Sequence, residues 1–132
     1  MKFIFKILTL GVFIVLLFAG CVKQDPGIIT KFFNFPNPFN PQTESTTLRT
    51  TYSDASAVNW TLRIYNENGD LVYERSGTDV TGSFDLTWAG RDNLGNPVQN
   101  GVYKAIMTLD VTDDGAGNTG STYQDFCKVV VL

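Results

Sequence analysis

The sequence predicts an all-β fold, an antiparallel sandwich of about seven strands that follows an N-terminal signal segment. Three observations support this prediction. Apolar and polar residues alternate with period two, turn residues recur roughly every 8–15 residues, and no stretch keeps the 3.6-residue period of an amphipathic helix. These features are typical of two packed sheets, although the sequence alone leaves a closed barrel open.

The first three strand candidates lie between residues 28 and 65. Ile28–Phe35 is closed by Pro36, which has no amide hydrogen to donate to a neighbouring strand. Thr46–Tyr52 and Val58–Tyr65 alternate regularly, so one face of each strand is expected to point into the core. The residues predicted to face inward on these two strands are Leu48, Thr50, Tyr52, Val58, Trp60, Leu62 and Ile64.

The later strands begin with a predicted hairpin at Asn66–Asp70, where an Asn-Gly pair accepts the positive φ angles of a tight turn. Leu71–Arg75 is the returning strand, and Gly82–Trp88, Val102–Val111 and Tyr123–Leu132 complete the set. Inward-facing aromatic residues bury roughly 150–250 Å² each. A domain of this size is therefore expected to fold without a disulfide or a metal. The predicted aromatic core comprises Trp60, Phe84, Trp88, Tyr103 and Phe126.

The N-terminal 20 residues have the pattern of a targeting segment rather than of a folded domain. Lys2 and Lys6 precede an apolar run over residues 7–19. That run is shorter than the roughly 20 apolar residues of a membrane-spanning helix. We therefore interpret residues 1–20 as a signal peptide.

Cys21 follows two small residues at the end of this segment. The string resembles the lipobox of bacterial lipoproteins, with Phe18 where leucine is usual. The resemblance implies cleavage before Cys21 and acylation of its thiol. The next residues are polar and contain turn formers, so residues 21–30 are interpreted as a lipidated tether and residues 31–132 as the domain. An ordinary secretory signal or an uncleaved anchor is the alternative.

The charge balance of the chain bears on its partners. Removal of residues 1–20 takes away two lysines and no acid, which leaves 8 Lys and Arg against 13 Asp and Glu and a formal charge of −5. Nucleic acid and anionic lipid both require clustered cations, so neither is expected as the main partner. A membrane link would come through the lipid on Cys21. Cys127 would then lack a disulfide partner and is interpreted as a small apolar residue of the last strand. A Cys21–Cys127 disulfide is the alternative if Cys21 is not acylated.

The segment Phe35–Pro41, with the sequence FPNPFNP, is the most specific local string. Its three prolines predict an extended segment outside a regular sheet, with Phe39 in the core. The string resembles the entry of immunoglobulin-like domains related to the C-terminal part of flagellar hook-capping proteins. Similar domains end many large secreted bacterial proteins, including those with type IX sorting regions. The resemblance continues over about 100 residues, through Thr46–Arg49, Leu62–Asn66, Asn68-Gly69, Leu71-Val72, Trp88–Asp92, Gly95–Val98 and Asn100–Tyr103.

Residues for catalysis are scarce. The sequence has no histidine, no phosphate-binding glycine loop and no zinc-type cysteine pair. Asp92 is expected to cap its own turn. Asp113, Asp114 and Asn118 offer oxygen ligands for calcium in the Gly-rich Asp110–Gly120 link, but their spacing fits no EF-hand, and a solvated loop is preferred. We therefore expect no catalytic site, no metal and no cofactor.

The predicted function is that of a non-catalytic cell-envelope lipoprotein, a binding or assembly module anchored by lipid to the outer membrane or cell surface. Its partner is expected to be a protein or a cell-surface polymer, recognised through loops such as Asp110–Gly120 or through an exposed edge strand. The alternative is a type IX C-terminal sorting or cargo-attachment domain. The terminal Lys128–Leu132 resembles such a sorting end.

Overall fold

Seven strands form two antiparallel sheets in the computed structural model, which describes residues 27–116 and 119–132. One sheet has the order β1-β2-β5 and the other β4-β3-β6-β7. The predicted immunoglobulin-like sandwich is therefore confirmed, and the open sheets exclude a closed barrel. The strands are β1 Ile29–Phe35, β2 Thr46–Tyr52, β3 Ala57–Tyr65, β4 Leu71–Asp79, β5 Ser83–Trp88, β6 Gly101–Asp113 and β7 Thr122–Val131.

The core lies between the two sheets and follows the predicted alternation. All the residues expected to face inward on β2 and β3 are buried. Trp88 is only 1% exposed, and its ring meets those of Phe39 and Tyr103 edge-on. Trp60 stacks on Phe84 with ring centroids 5.5 Å apart. These aromatic contacts join the two sheets.

The prediction that Phe126 faces the core is wrong. Directly opposite residues in a sheet share a face. Phe126 pairs with Ile106, while Cys127 pairs with the fully buried Ala105. Phe126 therefore points away from the core and is 50% exposed. The inward residues of β7 include Val129 and Val131.

Two boundaries differ from those expected. Ile28 and Ile29 are buried, so the core begins before residue 31, the expected start of the domain. β4 continues beyond Arg75 to Asp79. Gly77 lies within β4 because the Trp60 ring packs closely against it, and a Cβ at this position would lie 2.4 Å from that ring.

The proline-rich segment after β1 runs along the open edge of β7. Phe39 is fully buried, as predicted, and its amide donates to the Val130 carbonyl oxygen at 3.0 Å. Its own carbonyl oxygen accepts from the Leu132 amide at 3.0 Å. The Asn37 side chain donates to the Lys128 carbonyl oxygen and accepts from the Val130 amide, both at 2.9 Å. An amide side chain thus takes the place of a neighbouring strand.

No helix that is long and apolar enough to cross a membrane occurs within the described ranges.

Candidate binding surface

Two loops at one end of the sandwich, the β3–β4 hairpin and the β5–β6 link, enclose a polar recess. In the hairpin, the Asn66 side-chain oxygen accepts from the amides of Asn68 and Asp70, both at 3.0 Å. Gly69 adopts a φ of 84°, which L side chains rarely tolerate. The predicted hairpin is confirmed.

The β5–β6 link is held from within by Trp88. Its indole nitrogen donates to the Arg91 carbonyl oxygen at 2.8 Å. Asp92 accepts from the amides of Leu94 and Asn96, both at 2.9 Å. Asp92 therefore caps its own turn, as predicted, and its carboxylate stabilises the loop.

The recess between the hairpin and the link has a volume of about 400 Å³. At its floor the Tyr103 hydroxyl donates to the Gln99 carbonyl oxygen. Burial raises the pKa of Tyr103, and the charge of Glu67 adds to this effect. The Glu67 carboxylate accepts from the Val102 amide at 3.2 Å. These polar groups order the rim and floor of the recess.

A second depression adjoins the recess on the outer face of the β3-β6-β7 sheet. We call it the cationic groove. It has a volume of about 540 Å³ and shares Asn66, Glu67, Val102 and Tyr103 with the recess. Its exposed apolar surface comes chiefly from Phe126, which is 50% exposed, and Val102, which is 36% exposed. The side chains of the groove on β6 and β7 are Val102, Lys104, Ile106, Phe126 and Lys128.

Two lysines lie side by side in this groove. Lys104 and Lys128 are directly opposite each other on β6 and β7. The Lys104 ammonium lies 4.4 Å from the centroid of the Phe126 ring, within the range of a cation–π interaction. Among the described residues, neither lysine has a carboxylate within 4.0 Å. The groove therefore combines apolar surface with two lysines and a single carboxylate, that of Glu67, which accepts from the Val102 amide.

Cys127 occupies the core side of β7, next to the groove. It forms no disulfide within the described residues and is partly buried. Burial raises the pKa of its thiol to about 12, with a further contribution from Asp125. The thiol is therefore protonated at neutral pH and is a poor nucleophile.

The Asp110–Gly120 link is shorter than predicted, because β6 continues to Asp113. Asp113 accepts from the Gly115 amide, and Asp114 accepts from the Ala116 amide, both at 2.8 Å. In the part of the chain that the structure describes, no three His, Cys, Asp or Glu residues cluster to hold a metal ion. Asn118, the third proposed calcium ligand, lies outside the described residues.

The acylation predicted at Cys21 also lies outside the described residues, with the whole of residues 1–26. It remains a prediction. The cationic groove was not predicted from the sequence. The outward positions Val102, Lys104 and Ile106 alternate visibly along β6. Their meeting with Phe126 and Lys128 depends on the register of two strands, which alternation alone does not reveal.

The comparisons with known proteins agree with this architecture. The model of the FlgD Ig-like domain family matches residues 39–115, more than half of the chain. The chain belongs to this family. The match spans the strands from β2 to β6, with the β3–β4 hairpin and the β5–β6 link between them. No curated protein matches the chain.

Solved structures share the fold at low sequence identity. Dimeric latent PorU from Porphyromonas gingivalis is 21% identical with a TM-score of 0.60, over 76% of this chain and 9% of PorU. FlgD from P. aeruginosa is 18% identical with a TM-score of 0.52, over 80% of this chain and 75% of that structure. The chain thus spans a small part of PorU. At these identities the likeness shows the fold alone.

Proposed function

We propose that this FlgD Ig-like domain is a non-catalytic binding or assembly module of the bacterial cell envelope, tethered by a lipid on Cys21. The observation that carries the binding role is the cationic groove, an exposed apolar surface with two lysines that form no ion pair among the described residues. Exposed apolar patches on folded domains mark interaction sites. The partner is a protein or polymer of the envelope.

The described acids support a non-catalytic role. Asp79 and Asp92 accept hydrogen bonds from their own turns, and Asp85 pairs with Arg49 at 2.7 Å. A catalytic carboxylate needs a reacting group within hydrogen-bond reach and a pKa near the working pH. The pKa of Asp79 and that of Asp85 instead lie below the ordinary value. These carboxylates organise loops and strands.

Co-purification tests the binding role. Affinity-tagged full-length protein is isolated from its native envelope after mild crosslinking. We expect a stoichiometric envelope partner with the parent protein. A Cys21→Ser variant is expected to lose its acyl mass and leave the membrane fraction. Recovery of the parent without any specific partner contradicts the binding role, and an unchanged Cys21→Ser variant contradicts the lipid tether.

The Asp110–Gly120 link provides a second test of where binding occurs. Replacement of residues 114–121 by a two-residue Asn-Gly turn orders less loop on folding, so stability is expected to stay the same or rise slightly. Loss of the co-purified partner from this variant would assign recognition to the link. Retention would assign it to the groove or the recess.

The alternative is a type IX sorting or cargo-attachment domain, which the resemblance of Lys128–Leu132 to a sorting end favours. These residues belong to β7 and its edge contacts, and Val129 and Val131 are buried. A reporter protein fused ahead of residue 22 and expressed in a bacterium with a type IX system separates the two functions. Surface display that is lost on deletion of residues 128–132, with the fusion still folded, favours sorting.

A further inference from the structure

The outer face of the β4-β3-β6-β7 sheet has two chemically different halves. In one half, polar side chains on neighbouring strands form hydrogen bonds and an ion pair with each other. The other half is the cationic groove, where apolar and cationic side chains face solvent. The cross-strand contacts of the polar half are Ser76 with Thr61 at 3.3 Å, Gln124 with Thr108 at 3.1 Å, Thr122 with Asp110 at 2.6 Å and Arg63 with Glu74 at 3.0 Å.

The two lysines of the groove are placed unfavourably for the free protein. Like charges directly opposite each other in a sheet repel and reduce stability. Two arginines of the described residues, by contrast, have carboxylate partners, Arg49 with Asp85 and Arg63 with Glu74. Among the described residues, Lys104 and Lys128 form no ion pair, and the Lys104 ammonium lies over the Phe126 ring. An anionic ligand between them would relieve this repulsion.

The spacing of the groove matches an extended peptide. Outward residues along one strand are about 6.6 Å apart. Val102, Lys104 and Ile106 therefore present an apolar, cationic and apolar series along β6. On β7, Lys128 lies beside Lys104 and Phe126 lies beside Ile106, so part of the series is repeated in a second row. An extended chain also repeats the direction of its side chains every second residue. A carboxylate flanked two residues away by apolar side chains fits this series.

Other anionic ligands fit less well. Recognition of an anionic membrane surface uses about 4–8 clustered basic residues, and the groove has two. The polar groups suited to sugar hydroxyls lie in the neighbouring recess, while the floor of the groove is apolar. A protein segment combines the negative charge and the apolar side chains that the groove requires.

We propose that the cationic groove binds an extended acidic segment of a partner protein, in which apolar residues stand two positions before and two positions after a carboxylate-bearing residue. This inference rests on the proposed binding function and names the chemistry of the partner. Lys104 and Lys128 bind the carboxylates, and Val102, Ile106 and Phe126 contact the apolar side chains. The interaction weakens with added salt because the charged groups are exposed.

Fluorescence anisotropy with purified full-length protein tests this inference. The probe is a labelled ten-residue peptide in which leucine and aspartate take turns at every second position and serine fills the positions between them, so that one face carries both side chains. We expect the double variant K104Q/K128Q to raise its Kd at least tenfold, and Phe126→Ser to raise it severalfold. The variant K104R/K128R should bind within about threefold of the parent. The matched control is Lys31→Gln, which removes an exposed lysine of the other sheet and is expected to change the Kd less than twofold.

Two further peptides check that charge and apolar contact are both required. An aspartate–serine peptide, in which serine replaces each leucine of the probe, keeps the charge. An asparagine–leucine peptide, in which asparagine replaces each aspartate, keeps the apolar side chains. Both are expected to bind at least tenfold more weakly. Equal binding of the aspartate–serine peptide, or equal weakening by Lys31→Gln, overturns the inference. So does binding to phosphatidylglycerol vesicles or polygalacturonate that depends on Lys104 and Lys128 when the peptide does not bind. A dimer in sedimentation that K104Q/K128Q dissociates would assign the groove to a second copy instead.

Co-purification separates failure of this inference from failure of the proposed function. A partner that co-purifies equally with K104Q/K128Q and with the parent keeps the binding module and overturns the groove. A parent that binds the peptide but recovers no envelope partner keeps the groove chemistry and removes the envelope role. Circular dichroism and the melting temperature check that each variant is folded.

Discussion

Thr50 and Thr46 form a matched pair for testing how a buried hydroxyl group affects stability with and without hydrogen-bond partners. Both lie on β2, face the same side and are fully buried. The Thr50 hydroxyl oxygen has no hydrogen-bond partner among the described residues. The Thr46 hydroxyl donates to the Pro36 carbonyl oxygen at 2.9 Å and accepts from the Asn34 side chain at 3.1 Å. Replacement of each threonine by valine is therefore expected to have opposite effects on stability.

The magnitudes follow from burial and bonding. A buried hydroxyl without a partner costs about 1–3 kcal/mol. Thr50→Val removes this cost in a side chain of nearly the same shape, so the free energy of unfolding should rise by about 1–2 kcal/mol. Thr46→Val removes two hydrogen bonds worth about 1 kcal/mol each and leaves the Pro36 carbonyl without this donor. We expect it to lower the free energy of unfolding by about 1–2 kcal/mol.

Urea denaturation followed by tryptophan fluorescence measures both changes, because Trp88 and Trp60 are buried. At this domain size, 1 kcal/mol shifts the melting temperature by about 4–8 °C. The difference between the two variants should therefore be easy to resolve. Destabilisation by Thr50→Val, or the same change in both variants, would show that the Thr50 hydroxyl finds a partner in solution.

Three further perturbations test the groove, a sheet edge and a turn. Lys128→Glu replaces repulsion by attraction opposite Lys104, so the free energy of unfolding measured by urea denaturation should rise by about 0.5 kcal/mol, while the acidic peptide no longer binds. Asn93 accepts from the Glu74 amide at 2.7 Å and donates to its carbonyl oxygen at 2.9 Å, so Asn93→Ala should speed hydrogen exchange at that amide; unchanged exchange would contradict the contact. Burial opposes ionisation of Asp79, but hydrogen bonds from a tyrosine hydroxyl and turn amides outweigh it and hold its pKa below the ordinary value of an aspartate. Its stabilisation is therefore full at neutral pH and is lost as the pH falls below about 4, and Asp79→Asn should flatten that part of the stability curve.

The alternation of the middle strands was sufficient to predict their inward faces. On β3 the apolar residues occupy one parity without exception, from Val58 to Ile64. β7 is different, because Tyr123 and Phe126 place aromatic residues on both parities. Only its pairing with β6 decides which one faces the core. The error at Phe126 thus arose where the local pattern was ambiguous.

The candidate site was harder to predict than the fold because it depends on that same pairing. Lys104 and Lys128 are far apart in sequence and become neighbours only through the register of β6 and β7. The turns, by contrast, depend on local chemistry. The positions of Asn66 and Asp92 were predictable from the residues that follow each of them.

The protection of the sheet edges explains why the face of the sheet is the available binding surface. Exposed edge strands invite pairing with another chain. Asn37 bonds to the backbone of β7, and Asn93 bonds to the backbone of β4, so an amide side chain covers part of each edge. Strand addition at these positions would have to displace two hydrogen bonds. A ligand that lies on the outer face meets the cationic groove without disturbing either edge.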